Sequence, residues 1–111
     1  MDVRDFTGKV TMIYGVHPHV FYYHPTGQVK RVAVIVGGAS HYVMQAKSDG
    51  FDTFFTGELS ESSLNLAKDL EMNLIGAGHD KTERSGVQSL ARLVSRRFGI
   101  PFEFIPQANP I

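Results

Sequence analysis

An imidazole and a carboxylate stand four residues apart in the stretch Gly76-Ala-Gly-His-Asp-Lys-Thr-Glu83-Arg84-Ser-Gly86. If helical geometry begins near His79, the side chains of His79 and Glu83 lie on one face, one turn apart. That spacing suits a neutral imidazole nitrogen and a carboxylate oxygen sharing one divalent ion. The flanking glycines permit tight turning and close backbone approach. A plainer reading has Thr82 as an ordinary N-cap, Glu83 as a first-turn acid facing the helix dipole, and His79 in a loop with nothing to bind. A divalent site also needs more than two protein ligands, so the pair is at most part of one.

Other polar residues offer weaker chemistry. Gly37-Gly38-Ala39-Ser40 follows an apolar run and could present free N–H groups to an anion. It lacks the spacing of a full nucleotide-binding loop, which favours a tight turn from strand to helix. His41 beside it reads as a first-turn surface histidine. Ser40 has no nucleophile-elbow pattern, so serine hydrolysis is not indicated. Glu58 and Glu61 form a possible carboxylate pair, although Ser60 reads as a cap and Glu61 as its dipole partner, leaving Glu58 the better catalytic candidate. His17, His19 and His24 read as turn and strand-edge histidines. Asp80 could add an oxygen ligand or accept a hydrogen bond.

The elements that must position these groups are legible in the hydropathy pattern. Residues 1–9 read as polar lead-in, with short strands at Val10–Tyr14 and Val20–Tyr23. Val32–Val36 is a β-branched run of the kind buried on both faces of a sheet. A helix is expected from Ser40 to about Lys47, a strand at Phe51–Phe55, and a helix from about Ser60 to Leu70. A strand at Met72–Ala77 and a long helix from about Glu83 to Phe98 follow, the helix carrying Val87, Leu90, Ala91 and Val94 on one face. Gly99 stops it, and a last strand is expected at Phe102–Ile105. The order β-α-β-α-β-α-β from residue 32 predicts an α/β fold, one domain over 1–111, with a mainly parallel sheet flanked by helices. Right-handed crossovers then bring Ser40, Glu58 and His79 to one sheet edge.

Composition narrows the possibilities further. The chain has 111 residues with 11 acids balancing 11 bases, and no cysteine. Disulfides, thiolate metal sites and cysteine nucleophiles are excluded. Balanced charge argues against nucleic-acid binding, and Arg92, Arg96 and Arg97 read as a solvated helix face. No run is long enough to span a bilayer and no signal-peptide pattern opens the chain, so cytoplasmic residence is expected.

The ordered series Val32-Ala-Val-Ile-Val-Gly-Gly38, Phe51-Asp-Thr-Phe-Phe-Thr-Gly-Glu58, Gly78-His-Asp-Lys-Thr-Glu-Arg84 and Asn109-Pro110 resembles the C-terminal half of the NIF-three-like dinuclear-metal-centre family, often labelled GTP cyclohydrolase 1 type 2 homologs. The resemblance covers roughly residues 29–111. It implies that His79 and Glu83 are two ligands of a two-metal centre of zinc, iron or manganese, with Glu58 at the edge of the active region. It also implies a ring-shaped homohexamer and a nucleotide or other small-molecule substrate, since GTP cyclohydrolase activity is attributed to some members. The chain departs from the family in lacking its His-His-Pro motif. Tyr23-His24-Pro25 echoes that motif in the wrong place. The expectation is a C-terminal fragment or a truncation whose metal centre is incomplete.

Two classes of function follow. One is metal-dependent hydrolase-type chemistry, with His79 and Glu83 holding metal and Glu58 positioning water or acting as base. The other is a non-catalytic α/β assembly module with a vestigial site. An anion or nucleotide binder built on the Gly37–Ser40 turn is a third option.

Overall fold

A computed structural model describes residues 1–110. Phe54 and Phe55 on one strand, with Leu74 and Ile75 on the next, explain the layering. Successive side chains point to opposite faces of a sheet, so each pair splits between two cores. Strands β2 (Val32–Ile35), β3 (Thr53–Thr56) and β4 (Asn73–Gly76) run parallel, and β1 (His19–Phe21) pairs antiparallel with β4. The four strands lie in the order β1-β4-β3-β2. This is the expected α/β fold with a mainly parallel sheet.

On one face, Phe54 and Leu74 pack with Val43 and Ala46 of α2 (Val43–Ser48) and Ala67 of α3 (Glu61–Asp69). On the other, Phe55 and Ile75 pack with Val10, Phe6 and Tyr14 of α1 (Val3–Tyr14), and Tyr14 stacks on Phe55 at 5.5 Å. The segment read as lead-in and a strand at Val10–Tyr14 is therefore a helix. Asp2 caps its start through Arg4 N–H, and Gly15 ends it in the left-handed region at φ 66°. The local β-branched run is overridden because Val3, Phe6, Val10 and Tyr14 recur at helical spacing and bury one stripe on the sheet.

Three further boundaries differ from the sequence reading. β2 is an edge strand rather than one buried on both faces, with Val34 57% exposed. The long helix, α4 (His79–Phe98), begins four residues earlier than expected, with Gly78 rather than Thr82 in the N-cap position. No strand forms at Phe102–Ile105; the segment over residues 100–110 is irregular. It is held to α4 by side-chain contacts, Arg84 Nη2 donating to the Gln107 carbonyl at 2.7 Å and its guanidinium lying over Phe104.

α4 does not lie on the sheet. Thr82 is its only buried residue, while Val87, Leu90, Leu93 and Phe98 are each more than half exposed. A helix of 20 residues is about 30 Å long. Its projection accounts for a long axis of 49 Å against 26 and 24 Å for the others. Among the described residues no helix is long and apolar enough to cross a membrane.

Candidate metal centre

Three turns at the C-terminal edge of the parallel strands build the site, as expected for a sheet of this kind. β2 runs into Gly37-Gly38, β3 into Gly57-Glu58, and β4 into Gly78 and α4. Their backbones interlock: Gly78 N–H donates to the Gly57 carbonyl at 2.9 Å, and Glu58 N–H to the Gly37 carbonyl at 3.0 Å. A Cβ at Gly57 would lie 2.7 Å from the Gly37 oxygen and 2.9 Å from its nitrogen. Only glycine allows that approach.

This junction brings Glu58, His79 and Glu83 together. The His79 ring lies between two carboxylates, with Nδ1 at 2.7 Å from Glu58 Oε1 and Nε2 at 3.2 Å from Glu83 Oε1. All three side chains remain between 38% and 53% exposed, so the centre opens to solvent. Glu58, bonded to Nδ1, is the largest cause holding the imidazole above its ordinary pKa. Partial desolvation opposes the shift and the Glu83 charge adds to it.

The spacing fits shared coordination. Two donors at adjacent positions around a divalent ion, each about 2.1 Å away, stand roughly 3.0–3.4 Å apart. The 3.2 Å separation of His79 Nε2 and Glu83 Oε1 falls within that span. Glu58 occupies the other ring nitrogen, the arrangement in which a carboxylate fixes the tautomer and orientation of a ligating imidazole. No single ion can meet both faces of the ring. Consistent with this, no group of three or more His, Cys, Asp or Glu side chains converges on a metal position among the described residues.

Several other candidates are placed elsewhere. Asp80 turns from the centre to pair with Arg84 Nη2 at 2.5 Å. His24 bonds Thr26 Oγ1 in a turn, and the His41 ring lies tilted against that of Tyr42. Ser40 Oγ lies 3.3 Å from Ser60 Oγ, and Ser60 caps α3 through a capping box with Ser63. Both polar backbone groups of Gly37 are engaged within the protein, which weakens the anion-turn reading. His19 sits at a strand edge, yet it also lines an open cavity of about 370 Å³ with Glu58, Leu59, His79 and Pro110. Sequence reasoning passed over His19 and Pro110 in this role. Only the register of β1, with His19 opposite Gly76, brings the first of them there.

Comparison with known proteins identifies the family and the fold. The family model Duf34/NIF3 (NGG1p interacting factor 3) matches residues 1–110. A GTP cyclohydrolase 1 type 2 homolog from Allochromatium vinosum is 44% identical over 85 residues, 77% of this chain and 34% of that protein. Its counterpart from Haemophilus influenzae is 28% identical over 110 residues, 99% of this chain and 44% of that protein. The solved structure of protein ybgI superposes with a TM-score of 0.92 at 28% identity, covering all of this chain and 45% of that one. A Thermus thermophilus protein gives 0.83 at 27% identity, covering 95% and 42%. The chain thus spans less than half the length of these relatives.

Proposed function

The chain belongs to the Duf34/NIF3 family, and on that premise we propose that it supplies one side of a divalent-metal centre for hydrolase-type chemistry. His79 Nε2 and Glu83 hold the ion, and Glu58 orients the His79 ring through Oε1. The second carboxylate oxygen of Glu58 positions water or accepts its proton. A divalent ion in this place supplies Lewis acidity that activates water and polarises a carbonyl or phosphoryl oxygen. Two ions form the complete centre, the remaining ligands coming from protein beyond this chain; zinc, iron and manganese all suit a nitrogen and oxygen donor set. The substrate is a nucleotide or other small molecule, for which the cavity beside Glu58 and His79 has room. The proposal includes homo-oligomeric assembly, a hexamer by the family resemblance, in the cytoplasm.

The 3.2 Å pairing of His79 Nε2 with Glu83, with Glu58 on the opposite nitrogen, carries this reading. Its test is elemental analysis of protein purified from metal-replete medium. Near-stoichiometric divalent metal is expected, lost in His79→Ala without loss of fold. Metal content unchanged by that substitution would remove His79 from the ligand set. A second reading, a non-catalytic assembly module, is favoured by the exposed apolar face of α4 and by the absence of a third converging ligand among the described residues. A folded wild-type protein that takes up no metal would select it.

A further inference from the structure

We propose that Thr82 is a positioning residue for the His79–Glu83 pair, its hydroxyl pinning the Gly37 turn against the first turn of α4. The inference rests on the metal reading above and adds what sets the gap between the two donors. Thr82 is 1% exposed, the sole fully buried side chain of α4. Threonine in a helix commonly returns its hydroxyl proton to a carbonyl one turn back. Thr82 does so, with Oγ1 at 2.9 Å from the Gly78 oxygen and 3.1 Å from that of His79. What sets it apart is the second bond. Gly37 N–H, 45 residues distant in sequence, donates to the same oxygen at 3.3 Å.

The surroundings leave this hydroxyl no slack. Gly57 packs against it so closely that a Cβ there would lie 2.8 Å from Thr82 Oγ1. On the far side of the turn, a Cβ at Gly37 would lie 2.6 Å from Glu83 Oε1 and 3.3 Å from His79 Nε2. Gly37, in the left-handed region at φ 71°, is therefore the wall against which the two donors face each other. The Gly37 carbonyl is fixed by Thr56 Oγ1 and Glu58 N–H, so Thr82 completes the restraint on this peptide from the α4 side. Thr82→Val keeps the shape but removes the acceptor, leaving Gly37 N–H buried against a methyl group. An unsatisfied buried donor is costly enough that the turn must shift. A site built on such a turn loses its donor geometry when the turn moves by a few tenths of an ångström.

The test compares Thr82→Val with Thr82→Ser, reading Zn²⁺ or Mn²⁺ affinity by chelator competition together with hydrogen exchange at the Gly37 amide. Thr82→Val is expected to weaken metal binding at least about tenfold, the scale seen when groups supporting metal ligands are removed. Gly37 exchange should accelerate in parallel. Thr82→Ser, which keeps the hydroxyl, should restore both to within about twofold of wild type. Folded Thr82→Val that binds metal as wild type does would overturn the proposal, as would equal losses in the two variants. If the valine variant does not fold, Thr82→Ala admits a water at Gly37 N–H, and the same affinity comparison with serine applies. Wild-type protein that binds no ion would defeat the metal reading alone. The pin then stands or falls on whether Thr82→Val accelerates Gly37 exchange.

Discussion

At the scale of single residues, His79 decides how the centre responds to pH. Its ring is held above 6.5, first by the hydrogen bond to Glu58 and then by the charge of Glu83. In metal-free protein the folded state thus binds the proton more tightly than the unfolded chain does. The stabilisation from imidazolium is fully present below about pH 6.5 and is lost as pH rises through the raised folded value. The proposed metal binding would run the other way, because an ion needs the neutral ring and must displace the proton. Thermal unfolding of metal-free protein across pH 6 to 9 should therefore show stability declining through the window in which metal affinity rises, with the decline absent in His79→Gln. Parallel changes of stability and affinity would contradict the placement of His79 between two carboxylates. Glu58→Gln removes the largest upward influence, so the midpoint of metal uptake should move to lower pH. At pH 8 its affinity should fall about 10- to 100-fold, because the ring is less firmly oriented. Isothermal titration at several pH values separates the two effects.

At the scale of elements, the site depends on three strand ends locked through glycine, and this junction yields a stability prediction. Gly57→Ala would drive a Cβ into the Gly37 backbone at 2.7 Å and Thr82 Oγ1 at 2.8 Å. Backbone cannot swing aside as a long side chain can, so a loss of about 1–3 kcal/mol is expected, read by urea unfolding. Gly86→Ala, whose Cβ meets open space on the exposed face of α4, provides the contrast and should not destabilise. Equal losses at both positions would show that the junction is not tightly packed. Much of this frame was legible in the sequence. The β-branched run at β2, the aromatic run at β3 and the apolar run at β4 marked the strands, and the return of each short connection to one edge brought Glu58 and His79 together. The grip of Glu58 on His79 Nδ1 was not legible, because the pattern gives an edge and not a rotamer. α1 was missed for a different reason: Val10-Thr-Met-Ile-Tyr14 has strand composition, and only packing beneath Phe55 and Ile75 makes it helical. The expected strand at Phe102–Ile105 failed similarly, since Phe104 lies against Arg84 of α4 rather than at a sheet edge. Thr82 read as an N-cap because its chemistry suits that role. Helix α4 in fact starts one turn earlier, and the hydroxyl serves the Gly37 turn instead.

At the scale of the whole molecule, α4 is the element least explained by the chain itself. Val87, Leu90, Val94 and Phe98 recur at the spacing of a helix meant to be covered, yet the first three are 55%, 59% and 38% exposed and Phe98 is 65% exposed. Met12 and Ile13, at 85% and 71%, add apolar surface on α1. Exposed apolar surface on this scale marks a contact surface in soluble proteins. The proposed homo-oligomer supplies a cover: α4 of a second copy, packed antiparallel, would oppose the two helix dipoles and bring the same stripe into register with itself. The relatives supply another, because the chain spans only 34–45% of their length and the remainder of a longer chain can lie on this face. Light scattering with size exclusion on the 111-residue chain distinguishes them. If copies cover one another, the wild type elutes as a dimer or larger species, and Leu90→Glu shifts it toward monomer while leaving metal content unchanged. A charge in the middle of a buried stripe forfeits the transfer of a leucine side chain, about 1.5–3 kcal/mol, at each copy of the contact. A wild-type chain that stays monomeric at tens of micromolar would remove self-association through α4. That result would leave a segment outside these 111 residues as the remaining candidate cover for the stripe.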